Sequence, residues 1–258
     1  MRCYRIKIFV IIVLALLHWS CSSNLSKDSR EVVRKPEITL QIASLNLGNF
    51  KKRIEEKYII NLAKVLKREK VEVLAVQGIS RYPGLASRID FVNELAIKTD
   101  WSNAFGEMMF ISGRQTGNAV FSSFPILSHH NQTFDHLKKA NFEAGLEATI
   151  DAGIRPLIVV SVQLPDKATM EEKVQCLQLI EAADFNKSNS AIVITGNLPS
   201  SSAARALSSF TDIPQSGSAR GTIPGIWFSA NESFQLIESR TAETEFGKLI
   251  IVQLGLFR

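Results

Sequence analysis

The sequence predicts a layered fold of strands and helices, α/β or α+β. Three observations carry this expectation: short apolar strands recur from residue 38 to residue 256, amphipathic helical segments fall between several of them, and Gly-, Asn- and Ser-bearing turns close the strands. The stretch "AIVITGNLPS" (191–200) shows the pattern most sharply, with Ala191 to Ile194 apolar and a turn opening at Thr195 and Gly196. Open α/β folds keep their chemistry at such strand ends, yet this loop supplies Asn197, Leu198 and Pro199 and no carboxylate.

In chain order, "ITLQIASLN" (38–46) alternates as a strand does. Residues 51–70 place Ile54, Tyr58, Leu62 and Val65 at helical spacing among Lys, Arg and Glu. "VEVLAVQ" (71–77) reads as a second strand and 87–98 as a second amphipathic helix. Further strands are expected at 117–122, 125–128, 143–150 and 156–164, then a helix at 168–185 and the strand at 191–195. Residues 199–223, rich in Ser, Ala and Gly, read as loop with one short helix around 201–209. The chain closes with "GIWFS" (225–229), "FQLIES" (234–239) and "KLIIVQLGL" (248–256). Leu40, Ile42, Val73, Leu74, Val159, Ile192, Ile194 and Ile250 are the expected core. Strand order is not legible at this level.

The 258 residues suit one large domain or two small ones, and 45% apolar with 21% charged is a globular balance. The net charge of +5 is spread along the chain and mixed with Asp and Glu, so it makes no strong case for nucleic acid. At the N-terminus, Arg2, Arg5 and Lys7 precede the apolar run Ile8 to Leu17, too short for a comfortable span but suited to a secretory signal. In "LLHWSCSSNLS", Ser20 before Cys21 resembles the lipobox of a bacterial lipoprotein, although His18 and Trp19 depart from its usual small or aliphatic residues. The expected organisation is a signal peptide over 1–20, a polar tether over 21–37 and a domain over 38–257. Lipid on Cys21 would anchor the exported chain to a membrane of the bacterial cell envelope. Of three cysteines, Cys3 lies in the signal and Cys21 at the lipid position; Cys176 then has no disulfide partner and reads as a buried structural thiol.

The segments "ASLNLGNF", "VEVLAVQGI", "TGNAVFSSFPIL", "IVVSVQLPD", "IVITGNLPS", "GIWFS" and "FGKLIIVQL", in this order, resemble the endonuclease/exonuclease/phosphatase superfamily. The resemblance covers about 38–257. It implies the DNase I-like four-layer α/β sandwich, two mixed sheets face to face with helices outside. It also implies descent from metal-dependent enzymes that cleave phosphate esters in nucleic acids, phosphoinositides and sphingomyelin, usually with Mg²⁺. Such chemistry needs charge neutralisation, oxygen ligands for the metal and a base near neutral pH.

Most of the family positions that supply these are altered. Asn46 is kept, and Asn118 keeps a supporting place. Gln77-Gly78 stands where the family writes Gln-Glu, its metal-binding acid. Val162-Gln163-Leu164 replaces Thr-His-Leu, and Gly196-Asn197-Leu198-Pro199 replaces Gly-Asp-Phe-Asn. The strand that should open on Asp opens near Pro224 and Gly225, and Glu245-Phe246-Gly247 falls where Ser-Asp-His is expected. No catalytic residue, metal or other cofactor is therefore expected, and Asn46, Gly78, Gln163, Asn197 and Phe246 are expected to line one cleft, with Pro199 and Gly247 beside them. The resulting expectation is a non-catalytic binding pseudoenzyme, its ligand or protein partner unknown. The alternative is a divergent metal-dependent phosphodiesterase or phosphatase using Glu245 and Asp166; an unrelated solute-binding lipoprotein fits the ordered motifs less well. His129, His130 and His136 read as exposed edge or loop residues, and Glu72 as a strand-entry residue.

Overall fold

Strand β1 (Ile38–Asn46) runs through the middle of a six-stranded sheet and is bonded on both sides. In this computed structural model the described residues are 35–48, 50, 52–82, 88–133, 144–164, 169, 171–172, 174–178, 191–196, 210–212, 225–229 and 233–258. The remaining strands are β2 (Val73–Arg81), β3 (Ser102–Ile111), β4 (Arg114–Ser122), β5 (Ile126–Thr133), β6 (Ala144–Asp151), β7 (Pro156–Val162), β8 (Ala191–Gly196), β9 (Phe210–Asp212), β10 (Gly225–Ser229), β11 (Phe234–Thr244) and β12 (Gly247–Leu256). Two helices are α1 (Glu56–Arg68) and α2 (Phe91–Thr99). Residues 36–258 belong to one unit.

The first sheet has the order β11-β12-β1-β2-β4-β3 and the second β5-β6-β7-β8-β10-β9. Each is mixed: β1 pairs parallel with β2 and β7 with β8, while the other pairs are antiparallel. Side chains alternate across each strand, and both faces of the central strands are covered. Leu40 and Ile42 therefore point between the sheets to meet Leu146, Val159 and Val193, while Ala43 and Leu45 point outward beneath the helices. Likewise Leu157 and Val159 face the other sheet, whereas Ile158, Val160 and Val162 join an outer cluster with Cys176 and Leu177 of a helical stretch at 174–178. This double burial is why these strands read as unbroken apolar runs.

On the outer face of the first sheet, α1 contributes Ile59, Leu62 and Leu66 and α2 contributes Phe91, Val92 and Leu95. Glu56 in the first turn of α1 and Lys67 and Arg68 in its last suit the helix dipole. The Asp90 carboxylate caps α2, accepting from the amides of Val92 and Asn93, and also pairs with Arg81. The layers are thus helix, sheet, sheet, helix, and all eight expected core residues are at most 6% exposed.

Several expected bounds are revised. The first helix is shorter than 51–70 and the second starts at Phe91 rather than at 87, while β5 runs on to Thr133, beyond the expected 128, and β11 to Thr244, beyond the expected 239. Strands β3 and β9 were not anticipated. In β3, Gly106 and the run Glu107-Met108-Met109 break the apolar alternation; a Cβ at Gly106 would lie 2.2 Å from Asn131 Oδ1, so the Asn131 side chain would have to move to admit one. The expected helix around 201–209 lies outside the described residues.

Candidate functional site

At the C-terminal ends of β1, β2 and β7 the interface between the sheets turns from apolar to polar. Ser44, Gln77, Asn118, Ser161 and Thr195 are fully buried there. Gln77 Nε2 donates across the sandwich to Ser161 Oγ (3.0 Å) and Thr195 Oγ1 (3.2 Å), while its Oε1 accepts from Ser44 (3.4 Å). Ser161 and Thr195 donate in turn to the carbonyls of Val76 and Val160, and Asn118 Nδ2 donates to the Ser161 carbonyl. Buried polar atoms need partners, and these side chains supply one another's, tying the two sheets at one level.

Beyond this layer the backbone closes over Gly78. Gly78 lies at an irregularity of the β2–β4 ladder with φ +69, the left-handed region open to glycine, and its amide donates to Asn118 Oδ1 (3.4 Å). The loop after β1 folds over it: Leu47 N–H donates to the Gln77 carbonyl (2.8 Å), and Gly48 N–H to Asn46 Oδ1 (2.8 Å). A Cβ on Gly78 would therefore lie 2.7 Å from both N and Cα of Gly48, and 2.9 Å from Gln163 Oε1. Asn46 thus spends its side-chain oxygen on this loop. Gln163 Oε1 is buried and accepts no hydrogen bond from the described residues.

Asn46, Gly78 and Gln163 lie together around Gly48, whereas Asn197 and Pro199 lie outside the described residues. Phe246 corrects the expectation. It does not line the cleft but is buried in an aromatic group, with ring centroids 4.9 Å from Phe50, 5.4 Å from Phe91 and 6.2 Å from Tyr58. An apolar ring in the β11–β12 turn is held by the helix-side core rather than presented to solvent. Gly247 ends that turn with φ +116, and Thr244 Oγ1 closes it by donating to the Gly247 carbonyl (2.7 Å).

The described residues around Gly78 do not fit Mg²⁺. Gly78 brings no side-chain oxygen, Gln163 brings an amide, and among the described residues no three His, Cys, Asp or Glu side chains converge. Glu245 is exposed and accepts from Asn61 of α1 (2.6 Å). Asp166 and His136 are outside the described residues. His129 and His130 are exposed on β5, an edge strand. Glu72 accepts from the Gln41 amide (3.0 Å) just before β2, at the end of the strand opposite Gly78. Cys176 is buried; Cys21 is outside the described residues. The ionisations that the fold shifts belong to surface pairs: Glu55 is lowered by hydrogen bonds from Lys57 and Tyr58, and Lys98 is raised by Glu56.

Sequence reasoning missed a pocket of about 520 Å³ beside Gly78. Leu47, Phe50, Ile54, Ile79 and Ile89 give it apolar walls, and Lys52, Arg53, Arg88 and Arg114 bring four cations, with no carboxylate in its described lining. The Arg88 guanidinium lies 5.5 Å from the centre of the Tyr82 ring. The four cations come from three separate stretches of chain, so no local signal announces them.

No family model and no curated protein matches this sequence. Solved structures do match its fold. An endonuclease/exonuclease/phosphatase from Beutenbergia cavernae DSM 12333 superposes with a TM-score of 0.67 at 15% identity, over 87% of this chain and 72% of that one. An endonuclease/exonuclease/phosphatase family protein from Bacteroides thetaiotaomicron gives 0.63 at 10% identity, over 87% and 100%. D. rerio TDP2 in complex with a single-strand DNA product gives 0.64 at 11% identity, over 84% and 98%. The chain therefore has the DNase I-like fold of these proteins.

Proposed function

On this fold, we propose a non-catalytic binding protein, exported and held at a membrane of the bacterial cell envelope by lipid on Cys21. The observation that supports it most is the backbone contact of Gly48 with Gly78. The position that resembles the family's metal-binding Glu is a glycine in a conformation side chains rarely adopt, and the space a side chain would need is filled by main chain. The second altered position, Gly247 at φ +116, stands where the resemblance puts a His. Loss of one general base alone costs about a hundred- to ten-thousand-fold in rate, and loss of the metal ligand compounds it.

A divergent hydrolase built on Glu245 and Asp166 is the second reading. Its case is weakened by the hydrogen bond that holds Glu245 against Asn61 of α1. The test is the wild-type protein with Mg²⁺ and DNA, sphingomyelin or phosphate-ester substrates: no turnover and no metal binding are expected. Metal-dependent turnover that disappears in Glu245→Gln or Asp166→Asn would overturn the proposal. For the anchor, the mature chain is expected to begin at Cys21 with added lipid mass, which Cys21→Ala removes; soluble protein cleaved elsewhere would refute it.

A further inference from the structure

The β3–β4 hairpin ends in a two-residue turn, Ser112 (φ 49) and Gly113 (φ 78), between the paired residues Ile111 and Arg114. Positive φ at both central residues is the tight primed turn that matches strand twist, so the tip is a defined shape. Phe110 and Ile111 are 58% and 49% exposed there. Neighbouring residues of a strand point to opposite faces, so an exposed pair means that both faces of the tip are bare. Arg114, across the ladder from Ile111, lines the basic pocket beside Gly78 together with Lys52, Arg53 and Arg88. Among nearby acids, Asp90 pairs with Arg81 and Glu107 accepts from Gln115, while Glu55 pairs with Lys57 and also interacts with the charge of Arg53.

We propose that this end of the sandwich docks on an anionic lipid surface, with the Phe110–Ile111 tip in the acyl boundary and the pocket cations on headgroup phosphates. A projecting apolar tip beside a carboxylate-free basic pocket has the chemistry of an interfacial contact. Binding of a soluble anion or a nucleic-acid strand would use the cations but leave the tip without a role. The contact needs neither the lipid on Cys21 nor the loss of catalysis, so it stands or falls apart from the proposed function.

The test places a tryptophan at the tip (Phe110→Trp) in the full chain, reconstituted into vesicles of phosphatidylcholine alone or mixed with phosphatidylglycerol, each with brominated chains. Trp19, Trp101 and Trp227 of the full chain are the background, read from the parent under the same conditions. The introduced tryptophan is expected to be quenched on the mixed vesicles and much less on phosphatidylcholine. Molar salt should reverse the quenching, and Arg88→Gln with Arg114→Gln should weaken docking by tenfold or more, at about fivefold per cation. Ile111→Ser should weaken it without changing the salt dependence. Equal quenching on both vesicle types, no quenching, or a response to a single-stranded oligonucleotide that exceeds the response to vesicles would overturn the proposal.

Discussion

The main chain of Gly48 lies against Gly78 so closely that a Cβ on Gly78 would stand 2.7 Å from the Gly48 nitrogen and Cα. Gly78→Ala is therefore expected to destabilise the domain by about 2–4 kcal/mol, the sum of left-handed strain and overlap with main chain that cannot rotate away. Gly78→Glu should cost at least as much and gain no Mg²⁺ affinity. Urea unfolding and calorimetric metal titration check both.

Gln77 reaches from one sheet to Ser161 and Thr195 of the other. Gln77→Ala removes these bonds and leaves a cavity in a fully buried layer, at a cost of about 2–4 kcal/mol. Gln77→Met, which keeps the volume, should cost less. Denaturant midpoints of the two variants decide whether the polar bridge or the packing carries the larger part.

Asp90 serves two neighbours, capping α2 and pairing with Arg81. Asp90→Ala is expected to cost about 1–2 kcal/mol, mostly the cap, because the ion pair is partly solvated. Arg81→Gln should cost less than Asp90→Ala in the same unfolding measurement.

Glu69 is held below its ordinary value of 4.5, first by the Arg68 hydrogen bond and then by Arg240. A depressed carboxylate stabilises the fold above its unfolded value and loses that contribution as pH falls through its folded value. The stability difference between wild type and Glu69→Gln should accordingly be constant at neutral pH, at most about 1 kcal/mol, and vanish as pH drops below 4.5. Unfolding midpoints across that range check the sign.

Much of this architecture was legible because its strands are buried on both faces. "ITLQIASLN" and "GIWFS" were bounded correctly by alternation and apolar content, and Gly78 and Gln163, where the resemblance implies a Glu and a His, could be read directly from the ordered motifs. What escaped depended on partners far off in the chain. The Asn131 side chain lies over Gly106, and the main chain of Gly48 folds onto Gly78, neither of which a local window contains. Phe246 was assigned by alignment to a cleft, but an aromatic ring beside Phe50, Tyr58 and Phe91 is better buried. The cations at 52, 53, 88 and 114 looked like ordinary surface charge until the fold gathered them.

The pairing of β1 with β12 sets Ile38 opposite Leu256, so a central strand of the first sheet waits for the last strand of the domain. Until β12 arrives, β1 has one unsatisfied edge, and the loop to be closed spans nearly the whole sequence, the kind of non-local pairing that makes folding slow. A ribosome would therefore release most of this chain before its first sheet could be completed. Passage across a membrane in an extended form would meet no finished structure to unravel. The same adjacency brings the two ends of the domain together, so a permuted gene that joins them and opens the chain at the exposed Ser112–Gly113 turn should preserve every layer while letting β1 and β12 emerge as neighbours.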